Sequence, residues 1–383
     1  MEFNFLKPIN EEVLELISSL SSQHLGSKTV LHTKEQFPDL NKIKIAIIGV
    51  LDNRGDSQAI SDVDLNYVRK ELYSLYPGNW EAIIADLGDI EAGNSVEDTY
   101  FALKKVVSSL IKKKIIPIII GGSQDLTYAM YRAYDELEQM VNLVSIDSKF
   151  DLGKESETIS SDSYLTKIIL EEPNNLFNFC NIGYQTYYNS QEEIDLIEKL
   201  FFDAYRLGDV SNSIAISEPV FRDADLISID LGAIKSSDSG NFINFTPNGL
   251  NGKEICSSAR YAGISDKVTS LGIFNHNSSK KESVLISQII WYFIEGFHHR
   301  SNEYPFGNKE NYIKYIVPLE QEELVFYKSN KTERWWIEIP FISNSYNKLK
   351  RNTLFPCSHE EYLVACNNEM PERWWKAQRK NIV

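Results

Sequence analysis

The feature that most constrains this chain is an alternation. About eight short runs rich in Ile, Val and Leu are separated by stretches with helix periodicity. The runs are Lys42–Leu51, Glu81–Gly88, Ile115–Ile120, Val141–Asp147, Phe177–Tyr184, Ala204–Gly208, Ala224–Asp230 and Lys267–Phe274. The strongest are almost continuously apolar, which is the pattern of strands covered on both faces. Between the runs, Ser95–Lys114, Asp125–Met140 and Lys281–Phe297 carry apolar residues at helical spacing. Ser95 followed by Asp98 has the form of a capping box. Together these segments predict a three-layer α/β/α sandwich with a mostly parallel sheet.

Composition narrows the function classes. Hydrophobic residues are 43% of 383, enough for a large core. The net charge of −15 argues against nucleic-acid binding and against an anionic membrane surface, since both need a basic face. Cys180, Cys256, Cys357 and Cys366 form no CxxC pair, so reduced thiols in a cytoplasmic protein are expected. The opening MEFNFLKPINEEVLELISSL lacks a basic stretch followed by an apolar one, so no signal peptide is expected. Val284–Phe297 is apolar but holds Gln288 and Glu295, and it is shorter than the roughly 20 residues that span a bilayer.

Texture divides the chain. Residues 1–303, with an N-terminal helix over about 11–20, read as the α/β/α domain; residues 304–383 read as a polar, aromatic and irregular C-terminal appendage. The appendage repeats ERWW, at Glu333–Trp336 and Glu372–Trp375. Two copies do not make a solenoid. The tryptophans could pack the tail onto the domain. Alternatively, Trp335, Trp336, Trp374 and Trp375 form a partner surface, since Trp is enriched in binding hot spots.

Ligands of open parallel sheets bind beyond the carboxyl ends of the strands. Three strand ends here are polar: GGSQDLT after Ile120, SIDSKFD through Asp147 and Asp151, and SIDLGAIKSSDSG through Asp230. In this order the motifs resemble the ureohydrolases, the family of arginase, agmatinase and formimidoylglutamase. The resemblance covers Lys42–Phe297 and extends to NGLNGKEI (Asn248–Ile255) and GIFNHN (Gly272–Asn277). It implies a scaffold built for a two-manganese cluster that hydrolyses guanidino or formimino groups, with Glu254 as a substrate-facing glutamate.

The departures from the family pattern fall on the implied ligands. The matching positions are Gln124, Asp147, Lys149, Asp151, Asp230 and Gly232. Gln124 and Lys149 stand where the family has histidine, and Gly232 where it has aspartate. An ammonium has no lone pair and glycine has no side chain, so one metal position is expected to be lost. The remaining oxygens could hold Mg²⁺ or Ca²⁺ weakly, and no two-manganese cluster is expected. Lys149 is expected to stand in for the missing cation. The leading expectation is therefore an inactive arginase-like pseudoenzyme, a cytoplasmic scaffold or protein-interaction subunit with a protein partner and room for homo-oligomers. The alternatives are a divergent formimidoylglutamase-like hydrolase of non-peptide C–N bonds and a small-molecule sensor anchored by Glu254.

Overall fold

The computed structural model describes residues 3–57, 63–137, 139–154, 158–303, 309–320, 322–339 and 354–382. All eight expected strands form. In chain order the main-sheet strands are β1 (Leu6–Lys7), β2 (Val30–Leu31), β3 (Ile43–Leu51), β4 (Ile83–Glu91), β5 (Ile116–Ile120), β6 (Val141–Ile146), β7 (Leu176–Tyr184), β8 (Asp203–Arg206), β9 (Leu226–Asp230) and β10 (Ser270–Phe274). They make one sheet in the order β1-β4-β3-β5-β10-β9-β6-β7-β8, with β2 also on β4. Only β1 pairs antiparallel. The two strands beyond the expected eight, β1 and β2, are two residues long, too short to show any period.

Strand alternation sends neighbours to opposite layers. Ile45, Ile47, Ile118, Ile120, Ile227 and Ile229 enter one core, against the helices Asn66–Tyr73, Gly252–Ile264 and Lys280–His298. Ala46, Ile48, Val50, Ile119 and Leu226 enter the other, against Val96–Lys112, Leu126–Arg132 and Tyr164–Leu170. That is the three-layer arrangement the apolar runs require. The helix starts are fixed locally. Ser95 and Asp98 close the expected capping box, and Ser279 with Glu282 closes another. No helix among the described residues is long and apolar enough to cross a membrane. The N-terminal helix is Glu11–Ser19.

The tail is not irregular. β11 (Tyr312–Pro318), β12 (Glu323–Ser329), β13 (Trp335–Glu338) and β14 (Leu354–Cys357) form an antiparallel sheet, followed by the helices His359–Cys366 and Glu372–Ile382. The expected boundary at residue 304 lies outside the described residues. This sheet is pinned to the domain by Arg222, from the helix Glu218–Asp223. Its guanidinium donates to the carbonyls of Trp335 (3.0 Å) and Cys357 (2.9 Å) and lies 4.6 Å from the Trp336 ring.

The tryptophans therefore correct an expectation. Trp335, Trp336 and Trp374 are buried and cannot present a partner surface; only Trp375 of the four is exposed. Trp374 donates its indole N–H to the Glu338 carbonyl at 2.8 Å. Large aromatic faces gain more from covering the small second sheet than from facing water.

Candidate functional site at the strand ends

β5, β10, β9 and β6 are neighbours, so their carboxyl ends make one continuous rim. Each contributes polar residues there: the Gly121–Asp125 turn, Asn275, Asp230 and Asp147. The pairing of β6 with β9 sets Ser145 level with Ser228 and Ile146 level with Ile229. The two SID triplets are thus parallel twins, and Asp147 and Asp230 leave adjacent strands side by side. Gly122 has no room for a side chain: a Cβ would lie 2.1 Å from the Asp52 carbonyl oxygen. That close approach lets the loop after β3 lie over the turn.

Gln124 is the centre of the rim. It is fully buried, and its amide nitrogen lies 3.3 Å from Ser145 Oγ, Tyr164 OH and Ser228 Oγ. Its amide oxygen accepts from Asn275 Nδ2 at 3.5 Å. Its backbone N–H is taken by Asn275 Oδ1 (2.9 Å) and Ser161 Oγ (3.0 Å). Thr127 joins Ser228 at 2.7 Å.

The carboxylates are less well provided for. Asp147 and Asp151 are 1% and 6% exposed, and Asp230 is slightly more open. Asp151 sits at φ 54, a left-handed conformation that aspartate tolerates better than most residues. Asp147 Oδ1 accepts the Lys149 N–H (2.9 Å), and Asp230 Oδ1 accepts the Gly232 N–H (2.7 Å). Among the described residues no N–H or hydroxyl donor reaches Asp147 Oδ2 or Asp151 Oδ2, though the two carboxyls lie within hydrogen-bonding reach of each other. Burial pushes all three carboxyls above the usual range. The Asp147 charge adds to this at Asp151 and Asp230.

Lys149 does not take up the place expected for it. Its ammonium turns outward to Asp162, 2.7 Å away, on a side chain 42% exposed. Burial lowers its pKa, but the bond to Asp162 and the charges of Asp162, Asp151 and Asp147 together leave it raised. Its charge still favours the ionised forms of Asp147 and Asp230 from that distance. Glu254 also departs from expectation. It closes a capping box with Asn251, accepting that residue's N–H at 2.8 Å, so its carboxylate serves the helix Gly252–Ile264 and not a ligand.

A profile of the arginase family matches residues 46–273. The chain belongs to the arginase family. Its relatives include formimidoylglutamase of Lysinibacillus sphaericus, 28% identical over 180 residues (46% of this chain and 54% of that one). Formimidoylglutamase of Streptococcus gordonii is 26% identical over 123 residues, 30% and 37% of the two chains. The chain thus spans about half, or less, of the length of these curated relatives. Among solved structures, Trypanosoma cruzi formiminoglutamase with Mn²⁺ superposes with a TM-score of 0.62 at 18% identity, covering 72% of this chain and 99% of that one. Formimidoylglutamase of Bacillus subtilis gives 0.61 at 17% identity, covering 70% and 91%. At this identity the likeness shows the fold, the arginase-like α/β/α sandwich.

The donor set of this arginase-family rim does not fit a two-manganese cluster. The Gln124 amide is engaged by hydroxyls and Asn275, the Lys149 ammonium has no lone pair, and Gly232 has no side-chain ligand and turns its N–H to Asp230. Among the described residues, no three His, Cys, Asp or Glu side chains converge to hold a metal ion. Asp147 and Asp151 lie within hydrogen-bonding reach of each other, and Asp230 is near enough to feel the Asp147 charge. Asn275, Ser161, Ser145, Ser228 and Tyr164 also form the site and were not read as site residues from sequence. The signal for the two serines was present: SID occurs twice, each time ending an apolar run, at Ser145–Asp147 and Ser228–Asp230.

Proposed function

We propose that this chain is a formimidoylglutamase-like hydrolase of a non-peptide C–N bond in a small molecule with a cationic formimino or guanidino group. One observation carries the reading. Asp147, Asp151 and Asp230 remain together at the strand ends; Asp147 and Asp151 are buried, and among the described residues no N–H or hydroxyl donor reaches the Oδ2 of either. A planar amidinium presents N–H donors and positive charge, the two things these oxygens lack. A carboxylate held beside such a group can orient water toward the amidine carbon and take its proton. The curated relatives named formimidoylglutamase support the substrate class. The four free cysteines support a cytoplasmic setting.

The test is an assay with formimino and guanidino substrates, with and without manganese, reading formamide, urea and amine release. Turnover that disappears in Asp147→Asn and in Asp230→Asn is expected. A folded protein with no turnover across the panel overturns the reading.

A second reading is an inactive arginase-like scaffold or protein-interaction subunit. Gln124, Lys149 and Gly232, three of the six family ligand positions, favour it. On that reading Trp375 is the one tail tryptophan open to a partner.

A further inference from the structure

We propose that Gln124 has taken over the structural task of a metal ion at this rim, so that the protein folds and keeps its stability without manganese. A bound ion ties several strand ends together because its ligands come from different strands. Here one amide does the same. Gln124 follows β5 and reaches Ser145 of β6, Ser228 of β9 and Asn275 just after β10, four neighbouring strands. Tyr164 adds the helix Tyr164–Leu170 to the same nitrogen. The hub is complete in itself: the amide nitrogen faces only oxygens, and the backbone N–H of Gln124 is satisfied as well.

The residues that would be needed for ions point elsewhere or are missing. Lys149 Nζ lies on Asp162. Asp147 and Asp230 each turn one oxygen toward an N–H two residues on, which fixes that oxygen against the backbone. Gly232 is where a further carboxylate would have to stand. A Cβ built there would lie 3.1 and 3.2 Å from the two Asp230 oxygens, so an aspartate at 232 would set its carboxylate beside Asp230 with a shift of a few tenths of an ångström. Three substitutions therefore separate this rim from an ion-binding one. The inference rests on membership of the arginase family and on this geometry, and it holds whether or not the site turns over a substrate.

The experiment measures metal content and metal-dependent stability, not activity. Purified full-length protein is dialysed against manganese, freed of excess ion and analysed for bound metal. Its melting temperature is then recorded with and without EDTA. No stoichiometric manganese and an unchanged melting temperature are expected. Gln124→Ala is expected to lower the melting temperature by an amount manganese does not restore. The triple variant Gln124→His, Lys149→His, Gly232→Asp is expected to gain stoichiometric manganese and an EDTA-sensitive melting temperature. One or more manganese ions per wild-type chain, or a wild-type melting temperature that falls with EDTA, overturns the proposal even if the variants fail to fold. A folded triple variant that takes up no manganese also overturns it, because those positions then do not decide metal binding. Absence of turnover in the substrate assay leaves this result untouched.

Discussion

Two buried acidic clusters sit on the same sheet and are treated in opposite ways. Asp86 and Asp89 of β4 meet the fork of Arg69, which is 1% exposed. Its Nε and Nη2 reach Asp86 at 2.7 and 3.2 Å, and Nη1 and Nη2 reach Asp89 at 2.9 and 2.8 Å. Tyr73 OH and the Gly88 N–H complete Asp86. At the rim, Asp147, Asp151 and Asp230 have no such cation among them within the described residues; Lys149 pairs with Asp162. The first cluster is a finished structural ion pair. The second keeps unsatisfied acceptors at the carboxyl ends of the strands. Unmet charge at a strand end is costly to the fold and is retained where it has a use.

The largest expected effect comes from breaking the finished cluster. Arg69→Met leaves two carboxylates without a counter-charge and should destabilise by about 3–5 kcal/mol, read as a lower urea midpoint. Aspartate-to-asparagine changes then separate the clusters by sign. Asp86→Asn removes charge-assisted bonds and should cost about 1.5–3 kcal/mol. Asp151→Asn relieves repulsion with Asp147 and should stabilise by about 1–2 kcal/mol, while lowering any turnover. Equal signs for the two changes would remove the distinction drawn between the clusters.

The smallest effect concerns pH. Burial holds His276 down at about 4, against an ordinary 6.5, and its Nε2 has no partner. The unfolded chain therefore binds the extra proton between those values. Stability from this group is complete above about pH 6.5 and is lost as pH falls toward 4, with a slope of at most about 1.4 kcal/mol per pH unit. Asp225, pushed up to about 6 by burial, and the rim carboxyls act with the opposite sign. The measurement is therefore the difference in unfolding free energy between wild type and His276→Gln across pH 4–7. That difference should narrow as pH falls. A constant difference would show that His276 is not held neutral.

The legible parts of the fold were those with strong periodicity. β3, β5, β6 and β9 are apolar runs such as Ile43–Leu51, and they must be buried on both faces wherever they pack. The second sheet was missed because its edge strand β11 is only partly covered, and β13 and β14 are four residues each, too short to show a period. In Tyr312–Pro318, exposed Ile313, Lys314 and Ile316 interleave with partly covered tyrosines, which reads as irregular texture when no partner strand is known. The ERWW echo was visible, but its meaning was not: Trp335 and Trp336 lie in a strand, and Trp374 and Trp375 in a helix.

At the site, sequence alone determined which residue types occupy the family positions. Gln124, Lys149 and Gly232 are facts of the chain, and that none offers the imidazole or carboxylate of the family position follows from their side chains. Only the tertiary structure decided where those side chains turn. Lys149 can reach several carboxylates, and Asp162, thirteen residues further on, captures it. Gln124 lies near enough to Asp147 to favour its ionised form, and the level pairing of Ser145 with Ser228 places two hydroxyl oxygens beside its amide nitrogen. Glu254 has the same carboxylate wherever it points, and the helix start at Asn251 claims it. Composition fixes what a side chain can bond; competition among neighbours brought together from distant sequence fixes what it does bond.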